Sequence, residues 1–103
     1  MTDSRLDILR AMVGANPQDS FARYGLAMEY VKSGNLEKAA GEFKNLLQAN
    51  PNYAAAYFHG GQTLEKLGKI DAARAMYEKG IEVTTATGDL HTRSELQAAL
   101  DIL

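Results

Sequence analysis

Asn16-Pro17 recurs as Asn50-Pro51, and between those marks Lys32, Gly34 and Ala39 recur as Lys66, Gly68 and Ala73, each pair 34 residues apart. A fixed step of this length implies stacked copies of one supersecondary unit, because a unit so short cannot bury its apolar face until a neighbour covers it. Inside each copy the apolar spacing is helical. Leu26, Ala27 and Tyr30 share one stripe, and Leu36, Ala39, Phe43, Leu46 and Leu47 form the next. Between the stripes, Ser33-Gly34-Asn35 offers a glycine able to take the left-handed conformation that stops a helix, and an asparagine to cap the one that follows. The second copy repeats the plan with Leu67-Gly68-Lys69 and the stripe Ile70, Ala73, Tyr77, Ile81. Pro17 and Pro51 can start a helix but not continue one, so they separate the copies.

Slot by slot, the first copy carries Arg23, Leu26-Ala27 and Tyr30 on one helix and Ala39, Phe43 and Pro51 on the next. The second carries Tyr57, Gly60-Gly61, Leu64, Ala73 and Tyr77, with Thr85 where a proline would stand. In period and in this order of bulky, small and aromatic slots, the stretch from residue 16 to 85 resembles the tetratricopeptide repeat. The departures are Arg23 in an aromatic slot, Gly60 where leucine is usual, and Thr85, which lets its helix run on. The resemblance implies an all-α, right-handed α-solenoid of about six helices in one domain. An N-terminal half-repeat helix over 1–15 precedes repeats at 16–49 and 50–86, and a capping helix covers 87–103. Gly60-Gly61 is locally costly, since glycine inside a helix loses about 1 kcal/mol against alanine. Close helix packing at Gly61 is the expected offset, with Tyr57 or Phe43 filling the space a leucine would take at Gly60. The competing reading is a weakened helix that adjusts when a ligand enters.

The ends carry their own signals. Ser4 with Asp7 reads as an imperfect capping box, after which Leu6, Leu9, Met12 and Val13 fall on one face. An irregular half repeat beside Arg23 would explain why that slot tolerates a charge. Residues 84–89 break the pattern, and Thr92 with Glu95 forms a second capping-box pair ahead of Leu96, Ala99, Leu100 and Leu103. Leu96 and Leu100 fit the repeat slots only after a two-residue insertion near Thr87-Gly88.

A net charge of −2 and a pI near 5.6 give no basic field for a phosphate backbone, which argues against nucleic acid. With no cysteine, disulfides, thiolate catalysis and cysteine-based zinc sites are excluded. No apolar run approaches the roughly 20 residues of a membrane span, and the polar start Met1-Thr2-Asp3-Ser4-Arg5 is unlike a signal peptide. Cytoplasm is the expected location.

In proteins of the resembled family the first helix of each unit lines a concave groove. Carried onto this chain, that wall is Phe21, Tyr24, Met28 and Val31, then Ala55, Phe58, His59, Gln62 and Lys66. Phe21, Tyr24 and Phe58 are left over by the packing stripe, and such side chains suit an apolar peptide or amphipathic helix laid into a groove. The competing reading is that a terminal helix of the chain itself fills the groove. A subset of the family clamps a C-terminal carboxylate with basic and amide residues, but here Lys32 and Lys66 stand only at the edge. His59 and His91 are expected on one side, too few for a metal site but able to tune charge below about pH 6.5. Glu65 with Lys69, and Glu37 with Lys38 and Glu42, read as helix-surface charges. Serines and threonines sit in caps and turns, and no nucleophile, base and orienter come together. The expectation is a non-enzymatic protein-protein interaction module without cofactor. Self-association through solenoid ends, as a weak homodimer, and an accessory role beside an enzyme are the alternatives.

Overall fold

The stripes and breaks of the sequence become six helices in the computed structural model, which describes residues 4–103. They are α1 (Ser4–Ala15), α2 (Ser20–Lys32), α3 (Leu36–Ala49), α4 (Ala54–Lys66), α5 (Ile70–Thr87) and α6 (Leu90–Asp101). Residues 1–3 and the Ser4 side chain, and with them the expected cap at Ser4, lie outside the described residues. Each helix packs against the next, and α4 also touches α6. The result is an all-α solenoid of helical repeats measuring 40 × 28 × 19 Å.

Gly34 and Gly68 close α2 and α4 at φ near +80° and +77°, where any other residue would be strained. The caps differ in part from expectation. Asn35 makes no side-chain cap bond, whereas Asp19 accepts the Ala22 amide at 3.1 Å and holds the start of α2. At α6 the cap is Asp89, which accepts the Thr92 amide at 3.2 Å; Thr92 itself lies inside the helix, so the Thr92–Glu95 capping box does not form. The reason is positional: Gly88 turns the chain at φ +78°, and the residue directly after it meets the new helix first. Without a proline, α5 continues past Thr85, and the hydroxyls of Thr84 and Thr85 bond back to the Gly80 and Ile81 carbonyls at 2.8 and 2.7 Å.

Two core clusters fill the stack. Leu26, Ala27, Tyr30, Ala39, Phe43 and Leu46 form the first, with Leu6, Leu9 and Val13 of α1 packed on it. Tyr57, Ala73, Tyr77, Leu96 and Ala99 anchor the second. Burying one side chain such as Phe43 or Leu46 contributes about 1.5–3 kcal/mol. Ala39 and Ala73 are fully buried. A methyl added at Gly61 would stand 2.2 Å from the Tyr77 ring, and this contact offsets the helical cost of that glycine. At Gly60 the missing leucine is replaced by Phe43 and Met76, whose atoms lie 3.3 and 3.4 Å from where its Cβ would be.

The charges expected to stay on single helix surfaces instead cross between helices. Glu42 receives Arg23 Nη1 at 2.9 Å, and Glu37 pairs with Lys69 at 3.6 Å. Lys38 lies 5.8 Å from the Tyr30 ring centre, a cation-π distance. Glu65 accepts the Tyr77 hydroxyl rather than pairing with Lys69.

Candidate protein-binding wall and a second cleft

The wall residues lie on two helices, α2 and α4, at helical spacings of three and four that turn them away from the stripe feeding the core. Phe21 is 77% exposed and is therefore not core. Tyr24, Met28 and Val31 are half-buried, each resting one side on the first cluster. Phe58 rests similarly on the second cluster, His59 is half-buried beside it, and Gln62 and Lys66 are exposed toward the end of α4.

Aromatic rings join the two helices. Tyr24 meets Tyr53 at 5.2 Å between centroids, Phe43 at 6.3 Å and His59 at 6.0 Å, and His59 meets Phe58 edge-on at 5.2 Å. Such edge and tilted contacts are the favourable aromatic geometries. Burial draws the His59 pKa below the ordinary imidazole value, with Glu95 opposing that shift and Lys66 adding to it. Burial and the neighbouring Tyr53 hydroxyl raise the Tyr24 pKa. His91, by contrast, is 87% exposed in its side chain and stands 3.9 Å from Glu95. Among the described residues no three metal-ligating side chains of the His, Cys, Asp and Glu types converge.

Helix α1 takes part in the wall. Its Leu9 reaches to 3.1 Å of the position a Cβ would take at Gly25, so the absence of a side chain there seats α1 against α2. Arg5 Nε binds Glu29 Oε1 at 2.6 Å across the same junction. A cleft of about 400 Å³ remains, lined by Leu9 and Met12 of α1 and by Phe21, Tyr24 and Met28 of α2. The structure therefore brings Phe21, Tyr24 and Met28 together in one hollow. Phe58 and His59 continue the aromatic row from Tyr24, while Gln62 and Lys66 lie beyond it on α4.

A larger cleft, about 660 Å³, opens elsewhere, between α3 and α5 with Tyr57 and Leu64 of α4 at its floor. Those two residues sit roughly 100–200° round α4 from Phe58, Gln62 and Lys66, so this cleft and the wall use different faces. Leu47, Tyr57 and Leu64 of its lining belong to the repeat stripes and slots, but Ala72, Ala75 and Met76 read as ordinary helix surface, so the stripe pattern does not reveal the cleft. A position-by-position comparison of the two 34-residue copies carries the signal: Lys38 and Glu42 of the first become Ala72 and Met76 in the second.

Comparison with known proteins agrees with this architecture. The sequence signature of the tetratricopeptide repeat matches residues 24–87. A TPR repeat-containing protein of Pseudomonas aeruginosa is 25% identical over 92 residues, covering 89% of this chain and 88% of that one. The crystal structure of a tetratricopeptide repeat domain protein from Salinibacter ruber is 39% identical, covers 80% of this chain and 91% of its own, and superposes with a TM-score of 0.75. PcrH, solved in complex with the chaperone binding region of PopD, shares the fold at a TM-score of 0.90 and 19% identity over 97% of this chain and 76% of that one. Among the described residues no helix is long and apolar enough to cross a membrane. Signature, slots and fold coincide over most of its length, and the chain belongs to the tetratricopeptide repeat family.

Proposed function

We propose that this chain is a non-enzymatic binding module that takes an apolar peptide or one face of a partner helix along the α2–α4 wall. The observation that carries the reading is Phe21, which is 77% exposed on a helix yet adjoins a hollow shared with Tyr24, Met28 and Met12. A large apolar side chain held in solvent beside an apolar hollow loses free energy that a partner would recover on covering it. Tyr24 and Phe58, with one side on the core and one side open, offer rigid aromatic area at little entropic cost. The complex of PcrH with a PopD region shows that a protein of this fold receives a segment of a partner protein, and the present chain is read in the same sense.

Phe21→Ser tests the proposal with little risk to the fold. Wild-type and variant chains are used to capture partners from a lysate of the source organism. A partner held by the wild type and lost by the variant, with melting temperatures equal within about 2 °C, is the expected result, because aromatic anchors commonly contribute about 2 kcal/mol at an interface. Equal capture by both chains sinks the reading. Concentration-dependent scattering abolished by Phe21→Ser would show instead that the wall binds a second copy.

A further inference from the structure

The cleft between α3 and α5 has an internal control in the equivalent positions one repeat earlier, on α2 and α3. Those positions hold long polar side chains. Arg23 spans from the Pro17 carbonyl at 3.0 Å to Glu42 at 2.9 Å, and Lys38 lies over Tyr30. In the second repeat the equivalent positions are Tyr57, Met76, Ala72 and Leu64. Tyr57 keeps the anchoring role of Arg23, its hydroxyl donating to the Pro51 carbonyl at 2.7 Å, but the ion pair and the covering lysine are gone. The cleft therefore lacks the long polar side chains that span the equivalent positions one repeat earlier.

We infer that this α3–α5 cleft is a second docking surface, independent of the α2–α4 wall, and that it receives an amphipathic helix of another protein with an apolar face and acidic flanks. Three features fit that occupant. Small residues line both banks, Ala40 and Gly41 on α3 and Ala72 and Ala75 on α5, and small residues are what let a third helix approach to the 8–10 Å of close packing. The floor between them is apolar, made of Leu47, Leu64 and Met76. The rim is basic on balance: Lys44, Lys69 and Lys79 against Glu37, in a chain whose net charge is −2. Lys69 is shared with Glu37 at 3.6 Å and Lys79 with Glu82 at 3.4 Å, while Lys44 makes no ion pair among the described residues. A carboxylate on the incoming helix would meet Lys44 first. The length of α3, 14 residues or about 21 Å, accommodates three to four turns of such a helix.

The test uses two synthetic amphipathic peptides of about 18 residues, long enough to hold a helix. They share a Leu/Ala face and differ only in glutamate or lysine flanks. Each is titrated into the isotopically labelled full chain while backbone amide shifts are followed. The glutamate-flanked peptide should move the amides of Ala40, Gly41, Ala72 and Ala75 and bind at least about tenfold more tightly than its lysine counterpart. Ala72→Glu with Ala75→Glu, at exposed helix positions, should cut that binding about tenfold or more by filling and repelling, and leave the amides around Phe21 unaffected. If that variant does not fold, Lys44→Glu on the exposed face of α3 should weaken the glutamate-flanked peptide about threefold. The inference is overturned by shifts confined to Phe21, Tyr24 and Phe58, by equal affinity for both peptides, or by indifference to the substitutions. It is also overturned if the α3 and α5 amides move with protein concentration alone, since a second copy would then be the occupant. Because the Ala40, Gly41, Ala72 and Ala75 amides are read separately from those of Phe21, Tyr24 and Phe58, failure of the cleft and failure of the wall are distinguishable.

Discussion

The α2–α3 and α4–α5 repeats solve one packing problem with different side chains, and the substitutions come in matched sets. Where the first repeat joins its helices by Arg23 and Glu42, the second uses Tyr57 and Met76. Where the first has the apolar Phe43 and Val31, the second has at the equivalent positions Tyr77 donating its hydroxyl to Glu65. The first holds Leu26 and Leu46 in its core, and the second has Gly60 and Gly80, filled from outside by Phe43 and Met76 or by Tyr57 and Leu96. Among the buried positions, the small slots stay the same, Ala22 with Ala56 and Ala39 with Ala73. A repeat thus fixes where helices touch and leaves the partners free to change, provided both members of a contact change together.

The shared slots give the largest expected effect. Ala39→Arg and Ala73→Arg should each destabilise by about 3 kcal/mol or more, because each forces a charge into a site with no room and no water. Equal losses in thermal melts would mark the slots as equivalent, and a tolerated arginine at either would break the comparison.

The Phe43/Tyr77 exchange comes next, and its two directions cost stability for different reasons. Phe43→Tyr should cost about 1–3 kcal/mol, since its hydroxyl would be buried facing the slot of Val31 without an acceptor. Tyr77→Phe loses a hydrogen bond to a carboxylate, about 1.5–3 kcal/mol. The double variant Phe43→Tyr with Val31→Glu should regain part of the first loss. Denaturant titrations check all three, and no regain would show that the slots are not interchangeable.

The smallest effect concerns His59, whose counterpart in the first repeat is Gly25. Burial lowers its pKa in the folded chain, so the unfolded chain takes up the proton first as the solution is acidified. The resulting stability is fully present above the unfolded value of about 6.5 and is lost as pH falls through the lower folded value. Stability measured from pH 8 downward should therefore decline less steeply over that window in His59→Gln than in the wild type. Identical pH profiles would mean that His59 is as solvated as His91.

Much of this was legible in the sequence. The period and the slots Ala39, Phe43, Ala73 and Tyr77 dictated the helices and their buried faces, because a small residue repeated on a helical stripe has few roles besides contact. Less was legible at contacts between residues far apart in the chain. Arg23 looked like an anomaly beside an irregular neighbour, when its partner was Glu42 on the next helix, 19 positions away. The α6 cap was ambiguous for a local reason: Asp89 and Thr92 are both capping residues at workable spacing, and only the backbone turn at Gly88 selects the first. Of the large side chains expected on the wall, Phe21 stands clear of the core, whereas Tyr24, Met28, Val31 and Phe58 each rest one side on it, a sharing that the stripe pattern does not show. How far α1 would lean over them depended on Gly25 meeting Leu9, a relation between two helices that no single stripe contains.

The run-on of α5 has a consequence for the phase of the stack. Helices α2 and α4 begin 34 residues apart, at Ser20 and Ala54, but α6 begins at Leu90, 36 residues after α4. Two added residues at roughly 100° each rotate the sequence grid by about 200°, which turns it nearly inside out. Ser94 and Ala98, which the old grid would send inward, are exposed, and Leu96 is fully buried. The molecule thus contains a stacking fault, as a crystal can, held in place by Gly88. An engineer lengthening this array by copying units would have to count from Leu90. A unit spliced on the 34-residue grid would present its polar side to the stack.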